Sequence, residues 1–154
     1  MDRREITTYL RSASDELEAL CTDLTDEQFA ARPDAGQWSV IELICHLRDS
    51  VEEEGRRIRR LIEEDNPTLV PYDQDTWAIE RNYRADNPKR ALTTLRAFFG
   101  GLAYQIESLS DGDWQRTGCH AERGVVTVAT CAESEADHAR EHLAQVRDVA
   151  SRIQ

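Results

Sequence analysis

The sequence predicts an all-α fold, a four-helix bundle with a short extra helix and a loop before the last helix. Apolar residues recur every three to four positions along four long segments, which is the spacing of one helix face. The strict alternation of apolar and polar residues that is typical of strands is scarce. Cap and breaker residues stand where the four segments begin and end. Four amphipathic helices in one chain bury their apolar faces by packing together as a bundle.

The first helix is predicted from Arg3 to Leu24, because its leucines and isoleucine repeat with helical spacing. A polar segment follows, in which Thr25 is placed to cap a single helical turn. Pro33 and Gly36 would break any longer helix in this segment.

The second helix is predicted to begin after Ser39, since Ser39 and Glu42 have the spacing of a capping box. Its apolar pattern continues to about Glu64, ahead of the breaker pair Asn66-Pro67. This start is the strongest helix-start signal in the chain.

The remaining elements follow from caps and breakers. One short helix is predicted around Thr76–Tyr83, and a third long helix from Pro88, a favoured first helical residue, to Asp111-Gly112. A loop with a short extended piece follows, and then the fourth long helix, Val128–Ile153, capped by Thr127.

Length and charge limit the classes of function. The 154 residues are expected to form one domain, spanning 1–154. The net charge of −11 argues against binding to nucleic acid or to an anionic membrane, because both would repel the protein. No segment resembles a signal peptide or is long and apolar enough to span a membrane, so we expect a cytoplasmic protein.

The four cysteines are Cys21, Cys45, Cys119 and Cys131. None forms a CxxC pair, and zinc-ribbon spacing is absent. Without an export signal, reduced thiols that pack as small apolar side chains are favoured over a disulfide framework.

Three of the four histidines point to a metal site. His138 and His142 are four residues apart, which places both imidazoles on one helix face. On helical wheels His46 lies at the edge of the apolar face of the second helix, and His138 and His142 flank that of the fourth. Three imidazoles from two helices would form an open metal site. The alternative is a set of partly exposed histidines on polar helix edges.

Carboxylates accompany these histidines at helical spacing. Glu135 is one turn before His138 and could be its hydrogen-bond partner, a fourth ligand or a base. Asp49 and Glu42 are one turn either side of His46 and are further candidates for orienting it. For all three the alternative is a solvated helix face, and for Glu42 the capping role is sufficient.

Two motifs carry a family resemblance. Residues 38–50, WSVIELICHLRDS, resemble the WSxxExxxHLxDS signature of the DinB/YfiT-like metal-binding four-helix-bundle superfamily. Residues 138–146, HAREHLAQV, resemble the HxxxHLxQI motif of that family, and residues 113–128 resemble its loop before the last helix. The resemblance extends over essentially the whole chain, in the same order.

The resemblance implies that His46, His138 and His142 are ligands of one divalent transition metal, zinc, nickel or iron. It implies a homodimer as well. Ala139 stands where relatives often have an acidic residue. His120 matches a frequent family histidine and could contact substrate or supply a proton, and a solvated loop histidine is the alternative.

Three functions remain open at this stage, the first two with a small-molecule substrate. The resemblance implies a low-molecular-weight-thiol S-transferase acting on small electrophiles. A bound metal would support that reaction, because it lowers the pKa of the thiol and the thiolate is the reactive form. The alternative is a metal-dependent hydrolase with Glu135 or Glu141 as base. The third is a non-catalytic dimeric metal-binding or stress-associated module. The candidate catalytic residues are His120 and Glu135.

Overall fold

Four long helices form most of the structure, a computed structural model that describes residues 1–153. They are α1 (Arg3–Cys21), α3 (Val40–Glu63), α5 (Pro88–Glu107) and α7 (Val128–Arg152). The shorter helices are α2 (Asp26–Ala30), α4 (Gln74–Glu80) and α6 (Asp111–Trp114), with a 3-10 turn at Tyr83–Ala85. The strands are β1 (Thr68–Leu69), β2 (Thr117–His120) and β3 (Gly124–Thr127). The prediction of a four-helix bundle with a short extra helix is confirmed.

The long helices are arranged so that helices consecutive in the chain are not always neighbours. α1 packs against α5 and α7, and α3 packs against the same two helices. Therefore α1 and α3 lie on one diagonal of the bundle, and α5 and α7 lie on the other. The core between them is aliphatic, with fully buried side chains such as Leu10, Leu17, Leu47 and Leu61, together with Phe99.

Contacts along the bundle fix the helix directions. Met1 bonds Glu133 and Arg147 bonds Glu16, so α1 and α7 run parallel. Ser50 of α3 bonds Glu135, whereas His46, one turn earlier, meets His142 further along α7, so these two helices run antiparallel. This antiparallel pair brings the start of α3 beside the second half of α7.

The helix starts agree with their predicted caps. Ser39 and Glu42 form the predicted capping box at the start of α3, and Thr127 caps α7. Thr25 caps α2, which is one short turn as expected, and Pro88 is the first residue of α5. A side-chain cap supplies an acceptor for backbone N–H groups that lack a partner within the helix.

Some predicted boundaries were wrong. The first helix ends at Cys21 instead of Leu24, and the short helix begins two residues early, at Gln74. The third long helix ends at Glu107, not at Asp111-Gly112, because Ser110 caps a separate helix there, α6. A helical residue pattern does not distinguish one helix from two that are joined by a short turn.

A small sheet lies in the region predicted as a loop with an extended piece. β2 and β3 pair antiparallel, and β1 pairs parallel with β2. Gly118 in β2 lies so close to the end of α3 that a Cβ there would be 2.5 Å from Leu61 Cδ2 and 2.8 Å from the Pro67 carbonyl oxygen. The sheet therefore packs closely against the C-terminal end of α3.

Three of the cysteines are buried, and Cys119 is exposed. All four are free thiols. Burial raises the pKa of Cys21, Cys45 and Cys131 to about 12, so their reactive thiolate form is disfavoured.

No helix within residues 1–153 combines the length and apolarity needed to cross a bilayer.

Candidate metal centre

The structure brings His46, His138 and His142 together between α3 and α7. The Nε2 atom of His46 is 2.9 Å from that of His138 and 3.1 Å from that of His142, and the latter two are 2.8 Å apart. The three rings are nearly perpendicular to one another, with interplanar angles of 83° to 88°. Three nitrogens thus converge on one point, and no described carboxylate or thiol joins the cluster.

The hydrogen bonds behind two of these rings assign their tautomers. His142 Nδ1 lies 2.8 Å from Gln145 Oε1, and because an amide oxygen only accepts, Nδ1 carries the proton. His138 Nδ1 faces Ser50 Oγ at 3.2 Å and Glu135 Oε1 at 3.7 Å. The carboxylate favours a proton on that nitrogen as well. Both Nε2 atoms consequently direct lone pairs towards the same point.

This arrangement fits a divalent cation. Two Nε2 lone pairs 2.8 Å apart repel each other unless a positive charge lies between them. His46, His138 and His142 would hold such an ion through their Nε2 atoms. Because the described residues supply three ligands, the ion would keep a coordination position for a further molecule. The donor set suits zinc, nickel or iron.

Burial keeps most of the cluster uncharged. Burial, together with the neighbouring His138 and His142, lowers the pKa of His46 to about 3. Burial and His138 also lower the pKa of His142, against the hydrogen bond to Gln145. Burial opposes protonation of His138 too, but the Glu135 carboxylate outweighs it and raises the pKa of that ring. Neutral imidazoles are the form that binds metals.

Glu135 lies behind His138, on the side away from the converging nitrogens. Its two oxygens accept hydrogen bonds from Ser50 Oγ at 3.1 and 2.9 Å, and its side chain is buried. The carboxylate is thus placed to orient the His138 ring through Nδ1. It is not placed as a fourth ligand.

The two carboxylates near His46 have other partners. Glu42 accepts two hydrogen bonds from Arg32 at 2.8 Å and also caps α3 through Ser39. Asp49 accepts from Arg48 and Arg81, as well as from the hydroxyl of Tyr83. These bonds anchor α3 to the segments around it. Neither carboxylate makes a hydrogen bond to His46 within the described residues.

His120 stands apart from the three clustered histidines. Its Nδ1 accepts the backbone N–H groups of Glu122 at 3.1 Å and Arg123 at 3.2 Å, which closes the β2–β3 turn. The proton is therefore on Nε2, so the ring can donate a hydrogen bond but is not set up as a base. Burial and two nearby arginines, Arg123 and Arg57, lower its pKa. Its predicted catalytic role stays a prediction.

Comparison with known proteins identifies the family. The family model of the DinB superfamily matches residues 9–146, which is most of the chain. The chain belongs to the DinB superfamily. Its relatives include a protein of Oceanobacillus iheyensis that is 30% identical over 84% of this chain and 75% of its own length. Another, from Geobacillus thermodenitrificans, is 25% identical over 98% of this chain and 85% of its own length. Both bear the name "Putative metal-dependent hydrolase".

A solved structure has the same fold. YfiT of Bacillus subtilis superposes with a TM-score of 0.88, covering 97% of this chain and 86% of its own, at 21% identity. It is described as "a probable metal-dependent hydrolase with an unusual four-helix bundle topology". The diagonal placement of consecutive helices in this DinB-superfamily chain is consistent with those words. The three-histidine cluster of this chain is of the kind that can hold a divalent metal ion.

A pocket of about 340 Å³ adjoins the histidine cluster of this DinB-superfamily chain. His142 lines it directly, together with the apolar side chains Leu43 and Val149 and the indole of Trp38. The Trp38 ring also lies against the ring of His46, with 5.1 Å between their centroids. The pocket therefore borders the ring of His142, and its wall residue Trp38 contacts the ring of His46.

Sequence reasoning overlooked three residues of this site. Ser50 and Gln145 bind the Nδ1 atoms of His138 and His142, and Trp38 forms the pocket wall. All three stand inside the two motifs that carried the family resemblance. Gln145 is three residues after His142, and Ser50 is four after His46, so helical spacing was an available signal.

Proposed function

We propose that this chain is a divalent-metal-dependent thiol S-transferase that joins a low-molecular-weight thiol, through its sulfur, to small electrophiles. The observation that carries the proposal is the convergence of three Nε2 atoms within 3.1 Å of one another beside a pocket, with no described carboxylate among them. A site of this kind holds an ion and keeps space for a second molecule next to it.

The chain's own residues would divide the work as follows. His46, His138 and His142 would hold zinc, nickel or iron, while Ser50, Glu135 and Gln145 keep the ligand nitrogens deprotonated and aimed. The ion, when bound, would supply Lewis acidity that lowers the pKa of a thiol beside it. Leu43, Val149 and Trp38 exclude water from one side of the reacting groups.

The thiol is expected to come from a small molecule rather than from the protein. Cys21, Cys45 and Cys131 are buried with pKa values raised to about 12, and Cys119 lies in the sheet, outside the cluster. In the reaction a carbon–sulfur bond forms, the electrophile's leaving group departs with its electron pair, and the thiol proton passes to solvent. No protein base is required at neutral pH if the thiol is already ionised.

Hydrolysis is the second candidate, and the names of the relatives favour it. It would require a group to accept a proton from water, and the sequence offered Glu135 or Glu141. Glu135 is bonded to Ser50 behind His138, and Glu141 is exposed on the outer surface of α7. Neither is placed beside the converging nitrogens, so the geometry favours a nucleophile that ionises easily, such as a thiol.

Conjugation kinetics test the proposal. Zinc-, nickel- and iron-loaded protein would be assayed with several cellular thiols, including bacillithiol and mycothiol, and a fluorogenic alkyl halide. We expect metal-dependent acceleration with at least one thiol and a loss of about 100-fold or more in His142→Ala. Asp137→Ala, an exposed change on the same helix, should retain the full rate.

Two results would contradict this assignment. Equal rates for the wild-type protein and His142→Ala would remove the histidine cluster from the chemistry. Metal-dependent cleavage of esters or amides without any thiol, and no conjugation with it, would establish the hydrolase instead. Absence of both activities in metal-loaded protein would favour the non-catalytic module.

A further inference from the structure

The pocket beside His142 carries carboxylates and amides in addition to its apolar wall. Asp75 of α4 and Asp148 of α7 lie on its lining, together with the amide side chains of Gln37, Gln74 and Gln145. No lysine or arginine is among its lining residues. A molecule in this pocket would therefore meet negative or neutral polar groups beside His142.

An arginine near the rim, Arg152, is already paired. Arg152 bonds Asp34 and Gln37, and it lies 3.5 Å from Asp148. Asp75 enters none of the ion pairs found in residues 1–153, and α4, which carries it, has no buried residue. The carboxylate of Asp75 is thus available to a ligand at the pocket wall.

Two arginines line an adjoining pocket of about 420 Å³, which shares Gly36, Gln37, Trp38 and Asp75 with the pocket beside His142. There Arg32 is bound to the buried carboxylate of Glu42 by two hydrogen bonds, and Arg84 donates to the carbonyl of Ala30. These contacts direct the two guanidinium groups to the protein itself. Neither arginine is among the residues that line the pocket beside His142.

We infer that the pocket beside His142 selects substrates that carry a protonated amine or a guanidinium group. The inference rests on the proposed function, because it assigns the substrate class of that same site. Asp75 and Asp148 attract the cation, the indole face of Trp38 offers a further favourable contact, and amide oxygens accept its N–H groups. An anionic tail would face two carboxylates with no free cation among the lining residues, and it is disfavoured.

Three hydroxamic acids with one metal-binding headgroup and different tails test this inference. They are 5-aminopentanehydroxamic acid, pentanehydroxamic acid and 4-carboxybutanehydroxamic acid, with cationic, neutral and anionic tails. Titration calorimetry on zinc-loaded protein at low salt should rank the affinities cationic, neutral, anionic. Steps of about fivefold are expected, the size of a partly screened charge contact.

The pocket variant is a double substitution, Asp75→Asn with Asp148→Asn. Its matched control is the double substitution Asp23→Asn with Asp137→Asn, which removes the same charge from exposed positions elsewhere. The pocket variant should bind the cationic and neutral compounds with equal affinity. The control should keep the fivefold advantage of the cationic tail. A urea unfolding midpoint similar to that of the wild type shows that the pocket variant is folded.

Other results would overturn the inference. Equal affinity for the cationic and neutral compounds, or tightest binding of the anionic one, would contradict the inference. Neither result would contradict the proposed metal site. Loss of the preference in the control variant would assign it to overall charge and contradict the role of the pocket. Failure of all three compounds to bind zinc-loaded protein would overturn both the inference and the proposed function.

Discussion

Single residues around the site act mainly by fixing which ring nitrogen of each ligand histidine carries the proton. Gln145 holds a proton on Nδ1 of His142, and Ser50 with Glu135 does so for His138, which leaves both Nε2 atoms with lone pairs. Ser50 comes from α3, whereas Glu135 and His138 are on α7. A hydroxyl on one helix thus helps to fix a ligand on the other.

Removal of that hydroxyl should weaken metal binding. In Ser50→Ala we expect zinc affinity to fall by about 10- to 100-fold, the usual effect of losing a residue that orients a metal ligand. Competition with a chromophoric chelator measures it, and Ser151→Ala, an exposed change, is the control. A similar urea midpoint for the metal-free proteins would show that the fold is kept. Affinity within twofold of wild type would contradict the role of Ser50.

A buried carboxylate gives a pH prediction that does not involve the histidines. Burial raises the pKa of Glu54 to about 7, with a further contribution from Glu135, and Glu54 Oε1 has no hydrogen-bond partner among the described residues. The folded state therefore binds this proton more tightly than the unfolded state, in which the pKa is about 4.5. The contribution of Glu54 to stability should therefore fall as the pH rises from about 4.5 to 7, and change little above that.

Comparison of Glu54→Gln with wild type isolates this effect. The free energy of unfolding of the variant, relative to wild type, should rise by about 3 kcal/mol between pH 4.5 and 8, because glutamine does not ionise. Urea unfolding across that range measures it. Glu52→Gln, at an exposed position of the same helix, should show no such rise. A flat difference for Glu54→Gln would show that this carboxyl does not titrate abnormally.

Sequence patterns located the histidines of the site better than their partners. Helical angles placed His46, His138 and His142 at core edges, and the structure brings these three together. The partners of Asp49 and Glu42 could not be foreseen, because Arg81 and Arg32 reach them from other elements. Pairings of that kind depend on tertiary contacts that local spacing does not encode.

Elements of this fold differ in how far local sequence determines them. The starts of α3, α5 and α7 were predicted because cap residues act on backbone groups within the next turn. The sheet was not, since β1 has two residues and pairs with a strand about fifty positions away. Strands this short show no measurable alternation of apolar and polar residues.

The contact between the sheet and α3 can be tested with two glycines. Gly118→Ala should lower the free energy of unfolding by about 1–3 kcal/mol, because its Cβ would overlap Leu61 and the Pro67 carbonyl. Gly101→Ala, in the middle of α5 with nothing within 4 Å, should raise it by about 0.5–1 kcal/mol. Urea unfolding gives both values. Equal effects of the two substitutions would contradict the close approach at Gly118.

At the scale of the whole molecule, the order and direction of the helices bring the three histidines together. α3 and α7 are adjacent and antiparallel, so the start of one lies beside the later half of the other, and an ion bound there would join them. The long connections, residues 64–87 and 108–127, carry the short helices and strands outside the four long helices.

Homodimerisation stays a prediction, and light scattering would test it by comparison with the 17.6 kDa chain mass.

Zinc binding by the four single histidine variants tests the central claim most directly. Equilibrium dialysis of the wild-type protein should give one ion per chain. His46→Ala, His138→Ala and His142→Ala should each bind at least about 100-fold more weakly, whereas His120→Ala should bind as the wild type does, since His120 lies outside the cluster. Equal binding by all five proteins, or no ion bound by the wild type, would contradict the account.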